Sequence, residues 1–152
     1  MEVSERSLEI YRAAKQFFNA AELLWDSDRS DYIFPIIVNY ALACEIALKS
    51  IECKVVTPEI PDGALLADTT VVSNSWGHKL SKIHASFTPE NRETLQRKYT
   101  EITSQDLASD LEKCDEYFVK ARYPWEPSNK QVFSITHVRS LAKNLLVISK
   151  NA

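Results

Sequence analysis

Glu45 and Lys49 stand one helical turn apart, His78 directly follows a long irregular stretch, and Arg122-Tyr123 precedes Pro124. Together they supply an acid, a group titrating near neutrality, two cations and a phenol, the parts of an acid/base site acting on phosphate. Glu45 is the one ionised side chain between Tyr32 and Leu48, in Ile36-Ile37-Val38-Asn39-Tyr40-Ala41-Leu42-Ala43-Cys44-Glu45-Ile46-Ala47-Leu48. A carboxylate on a helix apolar around most of its circumference must find a cation or several donors, because leaving it unpaired inside costs several kcal/mol. Arg122 is the first candidate for that cation and Lys49, long enough to reach outward, the second. A purely structural account stands beside the chemical one: Glu45-Lys49 as a helix-stabilising pair, His78 as a turn residue, and Arg122 answering a helix dipole or closing an internal polar clamp.

These residues need a scaffold, and the pattern predicts an all-α one. Two glycines, Gly63 and Gly77, leave few places for tight turns, and long stretches follow the 3.6-residue period. A first helix is expected from about Ser4, as its cap, to Trp25, with Leu8, Tyr11, Ala14, Phe18, Ala21 and Trp25 on one face. A second runs from Tyr32 or Ile33 to about Cys53, with Pro35 tolerated in its first turn, and pairs with the first as an antiparallel hairpin. Residues 55–76, with Pro58, Pro61, Gly63 and the β-prone Thr69-Thr70-Val71-Val72, suit a short hairpin or an irregular excursion. A third helix follows Gly77 through Leu80, Ile83 and Phe87. Thr88-Pro89-Glu90 reads as the cap, proline and acid opening a fourth, to about Ile102. Thr103 or Ser104 should cap a fifth carrying Leu107, Leu111, Cys114, Phe118 and Ala121, ended by Pro124 and Pro127. The last spans about Ser134 to Ser149.

A chain of 152 residues fits one domain, 1–152, able to bury roughly 70% of its unfolded surface. Cys44, Cys53 and Cys114 are an odd number without CxxC or Cys/His ligand spacing, which points to a reducing, cytoplasmic setting and to no structural metal. No cofactor motif is present: no Gly-rich phosphate loop, HExxH, EF-hand or GxSxG. The start of the chain has no basic-then-apolar leader pattern, and the longest apolar run is interrupted by Pro35, Asn39 and Glu45, so neither a secretion signal nor a membrane span is expected. The net charge of -3 argues against a broad duplex-binding surface. Its distribution is uneven, with seven Lys/Arg against three acids from Lys113 onward. Among them sit Tyr117, Phe118, Tyr123, Trp125 and Phe133. Aromatics interleaved with Lys120, Arg122 and Lys130 suit single-stranded nucleic acid, while core or dimer packing is the commoner use of such rings.

Three segments occur in an order that resembles a group of HEPN domains, helical bundles of prokaryotes and higher eukaryotes: Ala43-Cys44-Glu45-Ile46-Ala47-Leu48-Lys49-Ser50, Gly77-His78-Lys79-Leu80 and Ala121-Arg122-Tyr123-Pro124. The resemblance spans about residues 8–148. It implies an antiparallel up-down bundle of four to six helices, commonly a homodimer, often found beside nucleotidyltransferases or in toxin, stress and defence systems. The ribonuclease members of that family carry an Arg followed after four to six residues by His. His78, His84 and His137 have no arginine at that spacing, the nearest preceding ones being Arg29 and Arg122. The expectation is therefore a non-catalytic homodimeric module for a partner protein, a nucleotide or RNA. A metal-independent ribonuclease or nucleotide-acting enzyme using Glu45, Lys49, His78, Arg122 and Tyr123 is the alternative, and a structural regulatory subunit a third.

Overall fold

A computed structural model of the chain describes residues 4–27, 31–56, 62–63 and 70–150. Its order is β1 (Ser4–Glu5), α1 (Leu8–Trp25), α2 (Ile33–Lys49), β2 (Cys53–Val56), β3 (Thr70–Ser73), α3 (Leu80–Ala85), α4 (Pro89–Thr103), α5 (Leu107–Lys113), α6 (Tyr117–Ala121) and α7 (Ile135–Lys150). The protein is predominantly helical, as its periodicity requires. No helix among the described residues is long and apolar enough to cross a membrane.

The first helix starts later than Ser4. Ser7 is its cap, accepting a hydrogen bond from the Ile10 amide at 3.1 Å, while its own amide donates to the Ser50 carbonyl at 2.9 Å. Ser4 and Glu5 satisfy their backbone in a sheet instead, opposite Lys54 and Cys53. The same sheet shortens the second helix, which stops at Lys49 rather than near Cys53 because Cys53–Val56 is taken up as the central strand. The expected hairpin forms between β2 and β3, in the register Val55 opposite Val71 and Lys54 opposite Val72. Residues 57–61 and 64–69 of that connection, including Pro58, Pro61 and Thr69, lie outside the described residues. The order is β1-β2-β3, all antiparallel. The added N-terminal strand is too short to show alternation, so no pattern announces it.

Thr88 and Pro89 open α4 as their types dictate, the Thr88 hydroxyl accepting from the Asn91 amide. Ser104 then takes a left-handed conformation (φ 60°) as the C-cap of α4, so it cannot also cap the next helix. Asp106 does that, accepting from the Ser109 amide at 2.8 Å. The single helix expected over Leu107–Ala121 is broken at Cys114–Glu116 into α5 and α6. The break turns Asp115 toward α3, where its carboxylate accepts from the amide and hydroxyl of Ser81.

Helix α2 lies at the centre, against α1, α7, α6 and α3. Ile36, Ile37, Tyr40, Ala41, Ala43, Cys44, Ala47 and Leu48 are all buried, which is why this helix is apolar around most of its girth. Glu22 of α1, Tyr40 of α2 and Arg139 of α7 tie the three longest elements of the core together. Arg139 donates twice to Glu22, at 2.7 and 3.0 Å, and the Tyr40 hydroxyl donates to it at 2.6 Å. The Arg139 hydrogen bonds hold the Glu22 carboxyl below its ordinary value. The three cysteines are free and buried. Burial pushes the Cys114 thiol up to about 12, so it packs as a small apolar group.

Candidate functional site

Glu45 faces outward from the middle of α2 toward the turn between β3 and α3. Its side chain is only 5% exposed, and the carboxylate accepts a 2.6 Å hydrogen bond from Nδ1 of His78. A carboxylate accepts here, so Nδ1 carries the hydrogen of this bond. Lys49 approaches the other oxygen at 3.9 Å, a longer and weaker contact. The carboxylate thus sits inside while its two partners reach the surface, His78 being 47% exposed.

Positioning of His78 follows from its neighbours. Gly77 takes a left-handed φ of 82°, a conformation that side chains disfavour, and this turns the chain immediately before the histidine. Ser81 is held by Asp115, and Lys79 pairs with Glu116 at 3.2 Å, so residues 79–81 are docked onto the α5-α6 break. That docking places the His78 ring 4.9 Å from the ring of Phe118, on the first turn of α6.

Arg122 does not pair with Glu45. Its guanidinium lies over the Phe118 ring at 4.5 Å and near the Tyr123 ring at 5.6 Å, and Glu45 is served by His78 and Lys49 instead. The reason is register: Arg122 is the C-cap of a helix of only 5 residues, where its side chain follows the face of Phe118, one turn earlier. All five sequence candidates still form one contiguous string. Lys49, Glu45 and His78 are joined by polar contacts; Phe118 bridges His78 to Arg122, and Arg122 reaches Tyr123.

Two residues that the spacing did not single out complete the surroundings. Phe118, expected only as part of a buried stripe or aromatic cluster, is the ring on which both His78 and Arg122 pack. Trp76 precedes the site and is 87% exposed. With Lys49, Val72, Ser73, Ser75 and Gly77 it lines a hollow of about 210 Å3 beside the Glu45–Lys49 pair. An indole so exposed, next to a glycine and a histidine, is a signal that a sequence reader attending only to charge passes over.

The aromatic cluster divides. Tyr117, Phe133 and Phe34 stack edge to face, and the Tyr117 hydroxyl accepts from the Ser134 amide at the start of α7, which is packing. Tyr123 and Trp125 stand apart from that group with rings 5.8 Å apart, and Trp125 is 68% exposed. Arg122, Tyr123 and Trp125 thus form one run of contacts leading away from Phe118, and Trp76 and Lys49 line one hollow. His84 and His137 lie elsewhere, the first buried on α3 and the second against the Asp110 carbonyl. Among the described residues no three His, Cys, Asp or Glu side chains are grouped to hold a metal ion.

A scan of the chain against protein-family models found no match, and neither did searches of curated proteins and of solved structures.

Proposed function

We propose that this chain is a HEPN-like helical module that works as a homodimer and binds RNA or a nucleotide at the Glu45–His78–Phe118–Arg122 cluster, without cleaving it. The observation that carries the reading is the packing of one cation and one imidazole on the Phe118 ring, continued outward by Tyr123 and Trp125. Such a row offers rings for bases and positive groups for phosphates, the combination that holds single-stranded nucleic acid with little regard to sequence. Glu45 is the internal support that fixes the His78 ring. The absence of an Arg/His pair at the family's ribonuclease spacing favours binding over cleavage. A nucleotidyltransferase encoded nearby is the partner protein this reading would lead one to look for, in a cytoplasmic setting.

One observation favours the enzyme reading as the second choice. A buried carboxylate that fixes the tautomer of a half-exposed histidine is the arrangement of a general base, with Arg122 and Lys49 as phosphate cations. The test serves both readings. Fluorescence anisotropy with a labelled single-stranded RNA and with mononucleotides should show salt-sensitive binding that Arg122→Ala and Trp125→Ala, each shown to be folded, weaken by about 5- to 100-fold, the range for one lost stacking or cationic contact. No binding by the wild type removes the module reading. Metal-independent cleavage that folded His78→Ala lacks replaces it by the enzyme.

A further inference from the structure

Of the three tryptophans, two have ring partners: Trp25 lies beneath the Arg139 guanidinium and Trp125 against the Tyr123 ring. Trp76 has neither an aromatic nor a cationic ring contact among the described residues, and it is 87% exposed. A lone exposed ring is ordinary on a protein surface. This one borders a hollow of about 210 Å3 whose other walls are Lys49, Val72, Ser73, Ser75 and Gly77, and the polar groups there have donors to spare. The Lys49 ammonium stands 3.9 Å from the Glu45 carboxylate, close enough for an ion pair and too far for a hydrogen bond. The Ser73 hydroxyl accepts from the Ser75 amide, and its own hydrogen goes to no group among the described residues. Nor do the Trp76 and Gly77 amides donate to any of them.

We propose that this hollow is a second base-binding subsite, where one nucleobase of a single-stranded RNA stacks on the Trp76 indole while the Lys49 ammonium and the Gly77 amide take the adjoining phosphate. The inference rests on the nucleic-acid reading above and narrows its ligand from RNA or a nucleotide to a strand of at least two nucleotides. Three features select that ligand. First, a flat apolar face beside a cation and neutral donors matches a planar ring carrying a negative group, and every base has a π-face to offer the indole.

Second, at about 210 Å3 the hollow is smaller than pockets that enclose a whole drug-sized ligand, so it holds one ring system of a longer molecule. Third, Trp76 stands two residues before His78, at most about 7 Å along the backbone. The next nucleotide of the same strand thus comes within reach of the His78, Phe118 and Arg122 row. The Ser73 hydroxyl donates or accepts as the base edge requires, which leaves the subsite indifferent to base identity.

The test is binding of a labelled RNA hexamer to the full chain, followed by fluorescence anisotropy, with Trp76→Ala, Trp76→Phe and Lys49→Gln each checked by circular dichroism. Trp76→Ala should weaken binding by about 5- to 100-fold, the range for one lost stacking contact, and Trp76→Phe, which keeps a ring, should recover most of it. Lys49→Gln should flatten the slope of log affinity against log salt by about 0.7, the share of one phosphate on a single strand. In the wild type RNA should quench tryptophan emission, and part of that quench should be missing from Trp76→Phe, a readout that holds whether or not the alanine variant folds. Binding unchanged in folded Trp76→Ala, while Arg122→Ala weakens it, leaves the nucleic-acid reading standing and overturns this subsite. AMP bound as tightly as the hexamer overturns the two-nucleotide ligand. Trp76-dependent quenching by an acidic peptide and not by RNA makes the hollow a peptide site and overturns the proposal equally. No RNA binding by the wild type removes the subsite together with the reading it rests on.

Discussion

Glu45 and His78 show how unequal the two ends of one hydrogen bond can be. The carboxylate is buried and the imidazole half outside. Removing the charge from Glu45 strands nothing, since His78 and Lys49 both reach water, and the amide oxygen of Glu45→Gln still accepts from Nδ1. That variant should lose only about 1 kcal/mol. His78→Ala instead leaves a buried carboxylate with Lys49 at 3.9 Å as its cation. Its loss should be about 3 kcal/mol, the low end for breaking a buried pair because water enters from the exposed side. Denaturant midpoints of the two variants decide this; equal midpoints, or the reverse order, would show that Lys49 alone satisfies the acid. The need for a partner was legible in the apolar run around Glu45. Which partner was not, because His78 lies 33 residues away in sequence and its approach depends on a turn and a docked helix that no local pattern encodes.

At the scale of elements, legibility followed local chemistry. Thr88-Pro89 fixed the start of α4 because cap and proline act within one turn, and Val71-Val72 announced a strand through β-branching. The division of α5 from α6 had no such mark, since Leu107, Leu111, Cys114, Phe118 and Ala121 keep helical spacing across a break made by Asp115 turning to Ser81. The α3-α4 corner carries a testable consequence of its packing. His84 is buried on α3 against Phe87, its Nε2 without a hydrogen-bond partner among the described residues. Burial holds its pKa below the ordinary 6.5, with the Arg92 charge adding to the lowering against a hydrogen bond at the Arg92 backbone and the Asp106 charge. The unfolded chain therefore takes up this proton first on acidification. The stability tied to neutral His84 is present above 6.5 and is lost as pH falls through the lower folded value. Between about pH 7.5 and about pH 5 the denaturant midpoint of the wild type should decline more steeply than that of His84→Leu, and parallel slopes would show that the imidazole titrates in solvent.

For the whole molecule, the sheet matters beyond its size. Two long-range ties, Tyr11 to the Leu146 carbonyl and Arg139 to Glu22, link the first helix to the last and close the helical core from within. The sheet closes it from outside, with β1 joining the start of α1 to the exit of α2. Ser4 and Glu5 of that strand pair with Lys54 and Cys53, so they cover the first half of β2. Without them Cys53 and Lys54 would be bare on that side, next to Val55 and Val56, a sticky template guarded by Lys54 alone. A chain begun at Arg6 should keep nearly all of its helical circular dichroism and melt slightly earlier. It should also scatter light increasingly on warming and bind an amyloid dye, where the longer chain stays clear. If the shortened chain remains equally clear, Lys54 is gatekeeper enough. If it does not, the opening residues act as a built-in plug against fibre formation, and affinity tags on this protein belong at the other terminus.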